Sequence, residues 1–434
     1  MRLVLAMAIL AAGLTSASAQ CLAVGTEAYS LMSPDGRSFF GTAVAATEDF
    51  VIVGVPFADD GPVRVFDVST GANVMDFEAS DEASTGGLGY TLAASGSLVL
   101  AGAPWERHDG EADVGAVHLF DLSTGVRRFR LIADHDLPAG VFGQSLAVSD
   151  RYALVGGVEY LGDGELTPGA VWVYDVATGE LLHTLTPVGG SENDWFGAGI
   201  AVTGDLAAVG ASWDDAHGAY SGVVYLFDLT SGEQVGVLIP DDQHSEKYFG
   251  SSLAISEMML AVAATGDTEA GPDAGAIYVF DVSTLDQLFK LMPPDPTHSH
   301  LGGRVAMQGS VVVGSESFRD QLYVFELTNR VPVMRLDTDD GTHGGNRLSV
   351  AISSAGIVSG AWDGDSVFVY SAPFMDVCDH IDLAVPCGDV QIQDVLTFID
   401  AFSDSDPLAD FAEPFGVLDL ADIDTLLVAY HACR

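Results

Sequence analysis

Basic side chains are scarce. Among 434 residues only 16 are Lys or Arg against 62 Asp or Glu, a net charge of −46, and just two of the sixteen, Lys247 and Lys290, are lysine. Such a chain repels phosphate backbones and anionic bilayers, so a nucleic-acid partner is excluded on charge. Long apolar runs are equally rare, and beyond residues 3–14 none could cross a bilayer. Nothing organises a nucleophile or a phosphate: GxSxG, HExxH, CxxC and GxxxxGK are all missing, and no catalytic residue is assigned. What remains is 48% hydrophobic and only 18% charged, with 49 glycines, which is too apolar for disorder. The chain folds, and its acidic surface suits cations or a basic partner.

Arg2, the apolar run Leu3 to Leu14 and the small residues Ala17-Ser18-Ala19 read as a signal peptide over 1–19. The expectation is an exported protein, secreted or on the cell surface. Four cysteines, Cys21, Cys378, Cys387 and Cys433, then suggest two disulfides, for which three connectivities exist.

The chain repeats itself. LGYTLAASGSLVLAGAP (88–104), FGQSLAVSDRYALVGGV (142–158), FGAGIAVTGDLAAVGAS (196–212) and FGSSLAISEMMLAVAAT (249–265) each carry an anchor Gly, a short apolar strand, a turn and a second apolar strand. Anchor glycines fall at 41, 89, 143, 197, 250, 302 and 345, spaced by 48, 54, 54, 53, 52 and 43 residues. A period near 50 indicates a propeller or solenoid. A third strand of GAVYVFD type follows in every copy, and a VSTG-like turn leads to a weaker fourth. Four strands per copy make a propeller blade, and seven copies make seven blades over 20–375.

The seventh copy has no fourth strand of its own. AYSLMSPD (28–35) matches LFKLMPPD (288–295) in register, so the N-terminal segment is expected to travel round and complete the last blade. Cys21 then lies eight residues before Tyr29, and Cys378 eight after Tyr370, at the same hairpin end. This favours a Cys21–Cys378 bridge over the other pairings. Cys387 and Cys433 are placed to staple the C-terminal segment.

On the Phe-Gly pairs at 40, 142, 196 and 249, the VGxP-like ends and the GAVYVFD-type strands, the chain resembles the FG-GAP repeat β-propellers, the fold of integrin α-subunit heads. The resemblance implies ligand binding or adhesion outside the cell. That family's DxDxDG calcium loops have no counterpart here; Thr203-Gly204-Asp205 stands where one would be.

Antiparallel strands put the turns between strands 1 and 2 and strands 3 and 4 on one face. The longer loops, between strands 2 and 3 and between blades, share the other. Rigidly mounted loops are where binding residues gather. The candidate ligand-binding set is Trp105, Glu106, His108, Asp109, Trp195, Trp213, Asp214, Asp215, His217 and Trp362. A Trp beside an Asp can stack on a sugar while the carboxylate accepts from its hydroxyls. The competing reading makes the tryptophans rim packing and the acids solvated surface.

From residue 376 the pattern changes. DLAVPCGDVQIQDVLTFIDAF (382–402) aligns with DFAEPFGVLDLADIDTLLVAY (410–430), each an acidic loop with a central Gly leading into an amphipathic helix. The duplication resembles a dockerin, the calcium-binding module that docks exported bacterial proteins onto a partner. The resemblance implies Ca²⁺ in the second loop, held by Asp410, Glu413, Asp419 and Asp422. The sequence reading is therefore an all-β seven-bladed propeller with a small helical module over 376–434. The function expected from it is that of an exported non-catalytic binder of a protein or carbohydrate, docked through its C-terminus. A structural surface protein ranks second. A quinoprotein-like or glycan-processing enzyme ranks third, because the Trp that a quinoprotein repeat carries shortly after its Thr-Gly is missing.

Overall fold

The computed structural model describes residues 23–24, 27–33, 39–58, 63–78, 86–107, 115–133, 142–157, 169–191, 193–296, 299–316, 321–327, 331–337, 348–361 and 365–371. Among these residues there is no helix. Twenty-nine strands form seven sheets, and the protein is an all-β, seven-bladed propeller.

Blade 4 shows the logic of all seven. Its strands, Phe196–Thr203, Leu206–Ala211, Val223–Asp228 and Glu233–Leu238, run as one antiparallel meander from the axis outward. The second and third strands are buried almost throughout, because a neighbouring blade covers each face of the sheet. They therefore read as continuous apolar runs rather than alternating ones. The outermost strand has one open face, and Glu233–Leu238 alternates exposed and covered positions until Leu238.

The core lies between blades. Leu154, Val171 and Val173 of blade 3 pack with Val209, Tyr225 and Phe227 of blade 4, and Leu226 and Leu238 pack in turn with Leu260 and Tyr278 of blade 5. Phe196 of the Phe-Gly anchor is fully buried, 5.8 Å from both the Tyr225 and Phe227 rings. A glycine of the second strand solves a different problem. A Cβ on Gly210, in the second strand of blade 4, would stand 2.0 Å from the carbonyl oxygen of Gly250, the anchor glycine of blade 5. Backbones of adjacent blades touch near the axis, and only glycine permits it.

Hydroxyls fix the register of that contact. Thr91 Oγ1 donates to Gly143 O at 2.6 Å, Ser145 Oγ to Gly197 O at 2.5 Å and Ser349 Oγ to Gly41 O at 3.0 Å, each reaching from one blade to the next anchor.

The ring closes as the repeat phase predicts. Tyr29–Met32 pairs antiparallel with Ser366–Ser371, Tyr29 opposite Val369 and Leu31 opposite Val367. Tyr29 then donates its hydroxyl to Val68 O of blade 1 at 2.7 Å, and Asp365 accepts from Phe40 N at 3.0 Å. Blade 6 carries a fifth strand, Ala23–Val24, on its outer edge. No helix among the described residues is long and apolar enough to cross a membrane. Residues 1–19, the four cysteines and the segment 376–434 with Asp410, Glu413, Asp419 and Asp422 lie outside the described residues.

Candidate functional site

Two positions of the repeat decide what faces the axis. The first is the residue before the anchor pair: Phe39, Gly87, Trp195, Tyr248 and His300, all with positive φ, between 46° and 80°. For a bulky L-residue this left-handed geometry costs about 1–2 kcal/mol, so packing must hold it. The second position follows the VGxP-like end of strand 2 and holds Phe57, Trp105 and Trp213. Phe39, Trp195 and Tyr248 of the first set and all three of the second line a cavity of about 700 Å³ at the axis, on the face of the longer loops, to which all seven blades contribute. Phe39, Phe57, Tyr90, Trp105, Trp195, Trp213 and Tyr248 form its aromatic wall, with Thr42, Thr91, Gln144, Ser145, Ser251 and Ser349 on the inner strands or the bends leading into them.

The rings lock one another in two groups. In blades 1 and 2, Phe57 lies 5.1 Å from Phe39 and stacks on Trp105 at 5.7 Å, while Tyr90 meets Trp105 edge-on at 4.7 Å. Gly87 leaves room for this, since a Cβ there would stand 2.6 Å from the Trp105 ring. In blades 4 and 5, Trp195 and Trp213 meet at 4.5 Å and 83°, Trp213 meets Tyr220 at 5.8 Å, and Tyr220 stacks on Tyr248 at 5.8 Å. Such edge and offset contacts are each worth about 0.5–1.5 kcal/mol beyond burial.

Beneath each group sits a buried charge, held by a side chain of the third strand. Glu106, next to Trp105, receives Arg130 Nε at 2.6 Å and lies 2.7 Å from His118 Nε2. Arg127 meets His118 Nδ1 at 3.1 Å, which leaves Nε2 as the ring's donor. Burial alone would raise the Glu106 pKa, but these hydrogen bonds outweigh it and hold the carboxyl below its ordinary range.

In blade 5, Lys247 is fully buried beside Tyr248. Its Nζ lies 2.6 Å from Tyr278 Oη, 2.7 Å from Asp242 and 3.0 Å from Asp267. Lys290 joins the same group, 2.7 Å from Asp242, 2.9 Å from Asp267 and 2.6 Å from Glu269. Both lysines of the chain are thus spent on one cluster. Burial opposes ionisation of Asp242 and Asp267, yet the hydrogen bonds around them hold both below their ordinary range.

Blade 4 has the same frame with its signs changed. Asp194 takes the position of Lys247, and Asp214 accepts from Tyr225 Oη at 3.0 Å. Ser191 N donates to Asp194, but burial, with Asp214 and Asp215 nearby, pushes the Asp194 carboxyl up to about 6.

Of the candidate residues named from sequence, Trp105, Trp195 and Trp213 line the cavity. Glu106 and Asp214 are 5% and 3% exposed and point into the blades, so neither is among the lining residues. Asp215 and His217 are exposed and also outside the lining, and His108, Asp109 and Trp362 fall outside the described residues. Sequence reasoning missed Phe39, Phe57, Tyr90, Tyr248 and Arg304. The repeat held the signal for Phe39 and Tyr248, which occupy the same place before Phe-Gly as Trp195. Among the described residues no three His, Cys, Asp or Glu side chains are grouped so as to hold a metal ion.

No curated protein matches the chain. The family model described as FG-GAP repeat matches residues 181–227 and 233–280. Each match starts on the fourth strand of one blade and ends on the third strand of the next, so the sequence repeat is out of phase with the blade by one strand. That offset is why the last blade needs a strand from the other end of the chain. The protein carries FG-GAP repeats on a seven-bladed β-propeller.

Proposed function

We propose that this protein is an exported, non-catalytic binding or adhesion protein whose axial cavity takes a protein or carbohydrate ligand, and whose C-terminal segment docks it to a partner. One observation carries the reading: three tryptophans and four further aromatic rings converge from four blades on one cavity of about 700 Å³. Its size is that of a small-molecule or side-chain site. The rings are packed against each other and anchored from below, so little conformational freedom is lost when a ligand stacks on them. FG-GAP propellers commonly bind protein ligands, which fits the same face. The arginine and hydroxyl groups among the aromatics fit polar recognition rather than purely apolar uptake. Against catalysis stands the lining itself, in which no carboxylate pair or nucleophile–base pair occurs among the described residues.

The test is a panel of glycans and extracellular-type proteins titrated into the full chain, followed by tryptophan fluorescence. Trp105→Ala and Trp213→Ala are expected to weaken binding by about tenfold each, as truncation of a central aromatic usually does. Binding undiminished in both would place the site away from the axis.

A further inference from the structure

We infer that Lys247 and Asp267 condense in the folded chain to a side-chain amide, which ties the loop between blades 4 and 5 to the loop after the second strand of blade 5. The inference does not depend on what the axial cavity binds. It begins with the choice of residue. Only two of the sixteen basic side chains are lysine, and the buried acids Glu106 and Asp121 are met by arginine or histidine. In blade 5 a lysine takes that place, fully buried against an aspartate that is 1% exposed. Arginine keeps its proton under all ordinary conditions, whereas a buried lysine can shed one and become a nucleophile.

The reacting groups are already in contact. Lys247 Nζ lies 3.0 Å from Asp267 Oδ2, and Asp267 Oδ1 accepts from the Glu269 N–H at 3.0 Å, a donor placed to hold charge on that oxygen during attack. A closed path carries the protons. Lys247 Nζ is 2.7 Å from Asp242 Oδ1, which is 2.8 Å from Tyr278 Oη, which is 2.7 Å from Asp267 Oδ2. Asp242 takes a proton from the Lys247 ammonium, and the freed amine forms a C–N bond to Asp267 Cγ. The Cγ–Oδ2 bond breaks, and Oδ2 leaves as water with two of the three ammonium protons, relayed through Asp242 and Tyr278. Both relay groups end as they began: one ammonium and one carboxylate become a neutral amide and one water.

In water the separate ions are favoured over the amide by their hydration. Lys247 and Asp267 have lost that hydration, so the neutral product is the better buried species. Lys290 meets Asp267 as well, at 2.9 Å, but it also pairs with Asp242 and Glu269, which are 40% and 58% exposed. Burial works against its charge, yet these hydrogen bonds raise its pKa. Lys290 therefore stays an ammonium and balances Asp242 once Lys247 is neutral. Tyr248, the residue after Lys247, lines the axial cavity at φ 54°, so the bond also fixes one of its aromatic walls.

The test is mass spectrometry of the full chain, folded first, then unfolded and digested with trypsin. Trypsin does not cut after an acylated lysine, and Lys247 is the sole basic residue between Arg151 and Lys290. Residues 152–290 should therefore appear as one peptide, lighter than its sequence by one water, with fragmentation placing the link at Lys247 and Asp267. Lys247→Arg should be cut at position 247 and give both halves at full mass. Asp242→Asn keeps both reacting groups and removes the proton acceptor, so the linked peptide should appear about a hundredfold more slowly after cell-free synthesis of the full chain. Full-mass peptides ending at Lys247 in the wild type overturn the inference. So does a link at Lys290, or a loss of water that leaves Lys247 open to trypsin, as a succinimide elsewhere would. A link that forms equally fast in Asp242→Asn overturns the proton path.

Discussion

Asp194 is the residue whose surroundings are least at ease. The equivalent position in blade 5 is a lysine that neutralises two aspartates, whereas here three acids, Asp194, Asp214 and Asp215, share one corner and only Ser191 N is donated to Asp194. Its native pKa near 6 lies above the unfolded value of about 3.9, so the native state holds the extra proton between those limits. Stability therefore falls as pH rises through that window, and the penalty is complete above pH 6. Asp194→Asn keeps an acceptor for Ser191 and removes the charge. It is expected to stabilise the fold by about 2 kcal/mol at pH 7.5 and hardly at all at pH 4, read from urea unfolding of variant and wild type at both values. An equal difference at the two pH values would show that Asp194 is not buried against like charge.

Acids were the least legible residues for this reason: their direction depends on a third-strand partner that lies elsewhere in the chain. Glu106 and Asp214 sit in loop sequences beside tryptophan, as a ligand-facing acid would. His118 and Tyr225 turn them inward.

The element with the clearest sequence logic is the hairpin between the third and fourth strands. Asp67, Asp121, Asp175, Asp228 and Asp281 each end a third strand. In each, Oδ1 accepts from the backbone N–H two residues on, and in Asp67, Asp175, Asp228 and Asp281 also from the one three residues on. Their carboxyls are held below the ordinary range, first by the side-chain hydroxyls of Ser69, Ser123, Thr230 and Ser283 in four of them and by the Thr178 N–H in Asp175, with the other turn hydrogen bonds adding to this. The VSTG signature is thus an Asx turn, and part of the acid excess is hairpin chemistry rather than a binding surface. The turn and the apolar strands are local, so both could be read from spacing. The inter-blade contact is not local.

Gly210→Ala would drive a Cβ into Gly250 O at 2.0 Å, with both partners backbone. Gly204→Ala, at φ +53° with nothing within 4 Å, meets only conformational strain. The expectation is about 1 kcal/mol for Gly204→Ala and at least about 3 kcal/mol for Gly210→Ala, from denaturant midpoints. Similar costs would mean that the blades can separate near the axis without loss.

At the scale of the whole molecule, seven sheets become one ring only through Tyr29–Met32. The closure was visible in the sequence because a propeller repeat out of phase with its blades leaves one strand short at one end and one spare at the other. The cavity was not, because its lining is drawn from all seven blades, from Phe39 to Ser349, and comes together only after closure. Leu31, 7% exposed, packs with Val44, Val53 and Val367, which belong to blades 1 and 7. Its counterpart Leu291 is buried on a strand joined to its neighbour by a short hairpin.

Leu31→Ala and Leu291→Ala remove the same side chain and should each cost about 2–4 kcal/mol. They should differ in reach. In Leu291→Ala the hairpin keeps the strand in place, so faster amide exchange should stay within blade 5 and its neighbours. In Leu31→Ala the strand is held by pairing to residues more than 330 positions away, so its release opens a sheet edge and the axial cavity together. Exchange at the amides of Val367 and Val369 should rise, with loss of the tryptophan fluorescence response to ligand. A synthetic TEAYSLMSPD peptide should restore both in a variant lacking residues 20–35. Retained protection of blade 7 in that variant without peptide would show that the ring does not depend on the strand it borrows.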